Sequence, residues 1–464
     1  MGSAIAVDLG AESGRVCLVG FDGGQARLQQ VARFVNQPVF VAGSLHWDAL
    51  RLFYDVSEGI RKAQSIELAD SVGVDGWGVD YGLIDPKGKL IGNPYHYRDE
   101  RTVKTFDRVV ETLGRERIYR QTGIQLMRIN TLYQLAADPP QPDSRLLFMS
   151  DLMNYWLSGI AANERTIAST SQCYSPDGKP CSELLRAVGV DPAIFPETKQ
   201  PASILGRSVE FGLDVALPAG HDTACAVAAA PIAADDAYIS CGTWALVGIE
   251  TERPVINDDA LNANVTNEAG AFGTNRLLRN VMGLWLLQRL KSESGIEYDS
   301  LLSGAEACCQ TAPLIDPDHP SLLAPSSMIE AINRLNGTMH GPDVLAATIL
   351  KSLALRFRWT IDRLEKLTSR RLASIRMVGG GSKNELLCQW TANATGRPVF
   401  AGPSEATAIG NGLLQHAALG RLNSLAEIRS IVTNSFPARE YSPMNGDLWE
   451  TEHEKFLDIA VGGD

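Results

Sequence analysis

Twice along this chain an apolar run of strand length ends in a small glycine-bearing turn and is followed at once by a second strand-like run. The first copy is residues 3–9, the turn Gly10 to Gly14 and residues 15–21; the second is residues 237–241, Gly242 and Thr243, and residues 245–250. A turn that leads from strand to strand is not a Rossmann start, where the glycine loop opens a helix. In the first copy Asp22, Gly23 and Gly24 make another turn into a third extended run, 25–34, so the opening reads as a meander of hairpins. A chain of 464 residues exceeds what one core ordinarily serves. The repeated opening therefore predicts a duplicated α/β domain, with residues 1–232 and 233–464 as the two copies and a cleft between them.

The remaining elements follow from periodicity. Trp47, Leu50, Phe53, Tyr54 and Ile60 recur at helical spacing and predict a helix over 48–64, capped near Asp48. Strands are expected at 71–75, 79–85 and 214–217, and helices at 99–113 and 150–157, the latter with Ser150 or Asp151 as N-cap. Leu345, Ile349, Leu353, Phe357, Ile361 and Leu364 form the core stripe of one long helix. A strand at 374–378 runs into Gly379, Gly380 and Gly381, with Ser382 as cap of a helix through 390. Small residues over 405–419 suit a closely packed helix, and the polar tail after Pro437 is expected to wrap the surface.

A formal net charge of −12 and the lack of a basic stripe argue against nucleic acid as a partner. Local anion sites built from backbone N–H groups remain compatible with that charge. The chain has no apolar run near the roughly 18 residues of a membrane span and no basic segment ahead of its first strand, so a cytoplasmic protein without membrane partners is expected. Cys17, Cys173, Cys181, Cys225, Cys241, Cys308, Cys309 and Cys388 include no CxxC pair and read as reduced, mostly buried thiols.

Four short stretches carry chemistry. In GHDTA, Asp222 lies between His221 and Thr223 on a tight loop behind the 214–217 strand, where a carboxylate can take a proton from a bound hydroxyl; a turn or helix cap would use the same residues. Asp8 ends the first strand, where it could hold Mg²⁺ through water while Ser13, the glycines and Arg15 meet phosphate oxygens. An ordinary Asp-Leu-Gly turn fits Asp8 as well. SCGTW offers a second set of small residues and the Thr243 hydroxyl, or simply a hairpin turn. In GGGSKN the run of glycines suits backbone lying flat against a ligand such as an adenine ring.

Taken together and in order, VDLGAESGR, VGVDGWGVDYGLID, YRDERT, GIQLMRINTLYQL, GHDTACAV, SCGTWALVG, NVTNEAGAFG, RNVMGLWLLQ and VGGGSKN resemble the FGGY carbohydrate kinases from Ile5 to about Leu414. That resemblance implies a pair of actin-like, ribonuclease-H-like ATPase domains closing over ATP and a sugar. It implies Asp222 as catalytic base; Gly78, His221, Asp222, Thr223 and Asn280 as substrate contacts; and Ala11, Glu12, Ser13, Gly14, Arg15, Thr243, Gln288 and Gly380 as nucleotide contacts. Asp8 matches the carboxylate beside the metal, so ATP and Mg²⁺ are the implied cofactors. The implied reaction moves the γ-phosphoryl group of MgATP to the C1 hydroxyl of a ketose, L-rhamnulose first, giving L-rhamnulose 1-phosphate and ADP in L-rhamnose catabolism. A monomer or homodimer is expected.

Two departures from the family pattern stand out. Glu12 replaces a small hydroxyl residue or glutamine, and an acid beside a triphosphate is unfavourable unless it faces Mg²⁺ or solvent. Gly76 replaces a bulkier polar residue, which would widen the sugar pocket or loosen its loop. Trp77 and Trp244 read as core or cleft residues outside the site, and Asp99 and Arg101 as sugar contacts or a surface ion pair. Alternatives are a kinase of another ketose or polyol (L-fuculose, L-xylulose or L-ribulose) and an actin-like ATP switch that transfers nothing.

Overall fold

Residues 2–460 are described in this computed structural model. They divide into two compact units, each assembled from separate stretches of chain. The first takes residues 1–231, 250–277 and 406–436, and the second takes 232–249, 278–405 and 437–464.

The first unit is built on a six-stranded sheet in the order Ser203–Arg207, Asp214–Leu217, Ser71–Gly76, Gly2–Leu9, Ser13–Asp22 and Gln25–Val35. Ser13–Asp22 returns antiparallel to Gly2–Leu9, with Leu9 opposite Gly14, while Ser71–Gly76 lies parallel on its other side with Asp75 opposite Asp8. Gly2–Leu9 is buried from Ser3 onward rather than alternately, as a strand covered on both faces must be. Residues two apart share a face of a strand. Cys17 and Val19 accordingly pack with Ala408 of the helix Ala406–Ala418, whereas Val16 meets Gly59 of the helix Ala49–Ile66. That second helix starts where the periodicity places it, and the Asp48 side chain accepts from the Arg51 N–H as its N-cap.

Close approach defines the Ala406–Ala418 helix. A Cβ on Gly410 would overlap the Cys225 carbonyl of the helix Asp222–Ala229, and one on Gly412 would overlap Val19. Asn411 between them and Gln415 a turn further on are also buried. Asn411 Nδ2 donates to the Gly73 carbonyl at 3.1 Å, and Gln415 Nε2 to the Ile5 carbonyl at 2.9 Å. One helix thus fixes both the central strands and the helix that begins with Asp222.

In the second unit, Asp236–Cys241 pairs antiparallel with Trp244–Thr251 and parallel with Ser374–Val378, which continues to Val399–Ala401 and Arg439–Tyr441. A central strand flanked by an antiparallel neighbour next in sequence and a parallel neighbour from much later is the arrangement of the first sheet again. The duplication expected from the repeated openings is therefore present in the strand order. The stripe beginning at Leu345 lies on a helix of 27 residues, Pro342–Thr368, whose apolar stripe is buried.

Four local expectations differ from the structure. Asp222 is the first residue of a helix rather than part of a free loop, with His221 in the cap position. The helix Met149–Ser158 begins before Ser150, and Asp151 instead receives the Glu164 N–H at 3.1 Å. A short 3₁₀ turn, Gly380–Lys383, precedes the helix Glu385–Thr395, and it is Asn384 that caps this helix by accepting from the Leu387 N–H. The tail after Pro437 adds an edge strand and the helix Gly446–Ala460, which buries Trp449 and Phe456, so its polar composition is that of one exposed face.

Alanine is the better helix former by up to about 1 kcal/mol, yet Gly410→Ala is expected to lower stability, because overpacking costs about 1–3 kcal/mol. Thermal unfolding checks this, and a raised midpoint would mean that the two helices are free to separate.

Candidate functional site

Three carboxylates gather at the carboxyl ends of the parallel strands of the first unit. Asp8 and Asp75 are neighbours in register. Gly76, which ends that strand, donates its N–H to the Gly220 carbonyl at 2.9 Å and forms a bridge with His221, setting Asp222 just beyond. Loops at the carboxyl ends of such strands are where open α/β sheets bind ligands. The Gly76 contact also removes the expected looseness of this loop, which is tied directly to the GHDT turn.

That turn is held from behind by a buried acid. Glu164 Oε2 accepts from the N–H groups of Gly220 (2.7 Å), Thr166 (2.8 Å) and Ile167 (3.1 Å) and from the Thr166 hydroxyl (2.6 Å). The same hydroxyl accepts from the His221 N–H at 3.2 Å. With its backbone fixed in this way, the Asp222 side chain is 28 % exposed. Its polar contacts among the described residues all fall on Oδ1: the Thr223 N–H at 2.5 Å, the Thr223 hydroxyl at 3.2 Å and His221 Nε2 at 3.3 Å. Oδ2 is left to meet an incoming hydroxyl. Burial pushes the Asp222 carboxyl above the usual carboxylate range, with His221 and Thr223 pulling the other way.

Asp8 is 5 % exposed, and its Oδ2 lies 3.4 Å from Arg15 Nε on the adjacent strand. Asp75 is fully buried; Asn411 Nδ2 donates to its Oδ2 at 2.6 Å, and among the described residues Oδ1 has no hydrogen-bond partner. Burial first, then the charge of Asp8 and more distantly of Asp222, holds the Asp75 carboxyl well above its ordinary range. Among the described residues no three acidic, histidine or cysteine groups converge as a metal cage. Magnesium does not need one, because it takes one or two carboxylates and fills its other positions with water and phosphate oxygen. The hard oxygens of Asp8, with Asp75 behind them, fit that demand.

The phosphate-loop expectations lie on the turn after Asp8. Gly10 donates its N–H to the Ser13 carbonyl at 3.1 Å, and Gly14 has no room for a Cβ against the Phe34 ring. Ala11 and Ser13 are half-buried, and the Glu12 side chain is exposed to solvent, the placement that makes an acid tolerable there. Gly78 is demanded by the protein itself, since a Cβ would sit 2.8 Å from the Thr170 hydroxyl. Trp77 belongs to a buried cluster in which its Nε1 and that of Trp47 both donate to Asp80. Asp99 is buried, accepting from the N–H groups of Leu45 and Arg101, and Arg101 donates to Gln134; these are local supports rather than an exposed ion pair.

Thr243, Asn280, Gln288 and Gly380 lie in the second unit. The Gly242–Thr243 turn is clasped by the start of the helix Trp285–Ser294, where Leu284 and Trp285 donate their N–H groups to the Gly242 and Thr243 carbonyls. Of the glycine run, Gly379 has a left-handed φ of 78° and Gly381 packs on Cys241. Gly380 alone is exposed, and a Cβ there would meet nothing nearer than 3.9 Å. Two of the three glycines are thus explained by packing, leaving Gly380 as open backbone.

Sequence reasoning passed over Asp75, Glu164, Glu268, Arg276 and Asn411. Asp75 had a signal, an acid at the end of an apolar strand. Glu268 and Arg276 were also visible as charges inside strand-like segments, but their partners are far away in sequence.

Residues 3–227 match the description of the N-terminal domain of the FGGY family of carbohydrate kinases, and residues 237–419 match its C-terminal domain. The chain belongs to that family. It is 38 % identical to a rhamnulokinase of Bacteroides thetaiotaomicron, with 97 % of this chain and 98 % of that protein covered. It is 41 % identical to a rhamnulokinase of Pectobacterium carotovorum, with 95 % and 92 % covered. Among solved structures, a ligand-bound xylulose kinase from Lactobacillus acidophilus shares the fold with a TM-score of 0.82 at 15 % identity, covering 99 % of this chain and 97 % of that one. Plasmodium falciparum glycerol kinase with ADP does so at 0.79 and 15 % identity, covering 100 % and 98 %.

An acid whose pKa rises on folding binds its proton more tightly in the native state, so stability falls as pH rises through the interval between the two values. Asp75→Asn is therefore expected to unfold at a higher temperature than the wild type near about pH 8, with the gain vanishing near about pH 3, where the carboxyl is largely protonated in both the folded and the unfolded wild type. Melting curves across that range, without nucleotide or metal, check it; an unchanged or lowered midpoint at high pH contradicts it.

Proposed function

We propose that this chain transfers the terminal phosphoryl group of ATP to the C1 hydroxyl of L-rhamnulose, giving L-rhamnulose 1-phosphate and ADP. The observation that carries the chemistry is the Asp222 carboxylate, saturated at Oδ1 and open at Oδ2 beside the strand ends. The rhamnulokinases matched over nearly the whole chain support the choice of sugar.

Asp222 Oδ2 accepts the proton of the C1 hydroxyl as its oxygen attacks phosphorus in line. A carboxyl lifted by burial is a better proton acceptor than an exposed one, while the contacts at Oδ1 pull the other way and orient it. Gly78, His221, Thr223 and Asn280 contact the sugar. Ala11, Glu12, Ser13, Gly14 and Arg15 supply backbone and a cation to phosphate oxygens, as Thr243 does with its hydroxyl. Gln288 and the open backbone of Gly380 receive the rest of the nucleotide. Asp8 would hold Mg²⁺, which would offset charge on the phosphate oxygens.

The test combines a sugar panel with one variant. Coupled ADP release with MgATP is expected to be fastest with L-rhamnulose among L-rhamnulose, L-fuculose, L-xylulose and L-ribulose. Asp222→Asn is expected to reduce turnover by about 10²-fold or more with the fold intact. Preference for another ketose moves the specificity, wild-type turnover in Asp222→Asn removes the base, and ADP release that ignores sugar would leave an ATP switch.

A further inference from the structure

Behind His221 lies a buried ion pair that the proposed reaction does not use. Arg276 is fully buried and Glu268 is 2 % exposed, and Arg276 Nη2 lies 3.1 Å from Glu268 Oε2. Arg276 Nε donates to the Ala269 carbonyl at 3.1 Å, so the guanidinium is fixed at two points by one short strand, Thr266–Ala269. The same Nη2 is 3.2 Å from His221 Nδ1 with hydrogen-bonding geometry. On the other side of the ring, Nε2 is 3.3 Å from Asp222 Oδ1.

A guanidinium has donors and no acceptor and does not lose its proton in proteins. A hydrogen bond from Arg276 therefore requires a bare lone pair on Nδ1, which places the imidazole proton on Nε2, facing Asp222. We propose that Arg276, itself held by Glu268, is a positioning residue that locks His221 in the Nε2–H tautomer, so that His221 donates to Asp222 Oδ1 and turns Oδ2 toward the sugar hydroxyl. The chain Glu268, Arg276, His221, Asp222 runs from a buried carboxylate to the reacting carboxylate through a ring with one allowed proton position. This rests on the reading of Asp222 as the base.

The competing arrangement is visible in the same geometry. Glu268 Oε2 is also 3.4 Å from His221 Nδ1, and a proton on Nδ1 shared with Glu268 would make an imidazolium held between two carboxylates. The two arrangements differ in the protonation of one nitrogen. That is measurable without turnover.

The experiment is nitrogen NMR on enzyme labelled in its histidines near neutral pH, with the His221 signals assigned from a His221→Gln sample. The proposal predicts a bare Nδ1 and a protonated Nε2 in the wild type; an imidazolium, or a proton on Nδ1, overturns it. Arg276→Met combined with Glu268→Gln removes the pair without stranding a buried charge. It is expected to show mixed tautomers and a turnover lower by about ten- to a hundredfold, with KM for the ketose within about twofold. Unchanged turnover in a folded double variant also overturns the proposal. If that variant does not fold, the wild-type spectrum alone decides. Failure of the base assignment appears separately, as full turnover in Asp222→Asn, whatever the state of the imidazole.

Discussion

The first unit depends on the contact of the helix Ala406–Ala418 with strands and a helix that lie hundreds of residues earlier. Three demands meet on that helix. Gly410 and Gly412 remove side chains where Cys225 and Val19 come closest. Asn411 and Gln415 satisfy carbonyls of two adjacent parallel strands from within the core, where an unmet polar group would cost about 1–3 kcal/mol. Asn411 also reaches the carboxylate of Asp75. A helix of small and amide residues can therefore do what a purely apolar one could not: it sets the level of the strand ends on which Asp8 and Asp75 stand and seats the helix that Asp222 begins.

Several charged groups of the first unit are buried near these strand ends. Asp75, Glu164, Glu268 and Arg276 are each at most 2 % exposed. Each has a nearby purpose: Glu164 collects the N–H groups of the turn, Glu268 holds Arg276, and Asp75 lies behind Asp8. Buried ionic groups are weak contributors to net stability, and here they cluster around one turn. The stability lost by ionised Asp75 and the orientation gained by Asp222 belong to the same group of strand ends.

Much of this was legible in the sequence. The strand, glycine turn, strand openings located both central hairpins, and the 3.6-residue stripe beginning at Leu345 located the longest helix. GHDT, with Asp8 and the glycine turns, named the pieces of the site. Local detail was less secure where several capping residues competed, as at Ser150 and Ser382, and where a polar tail concealed an amphipathic helix. The buried relay behind His221 was out of reach because periodicity reports which face a residue lies on, not which distant residue it meets. The closely packed helix was expected from its small residues; its partners were not.

The chemistry turns on which sugar hydroxyl gives up its proton to Asp222. Phosphorus–proton correlation NMR of the product formed from ATP and L-rhamnulose tests this most directly. The expected product carries a phosphorus nucleus coupled to the C1 methylene protons and to no others of the sugar. Coupling to a proton on any other carbon, or inorganic phosphate as the only new species, would contradict it.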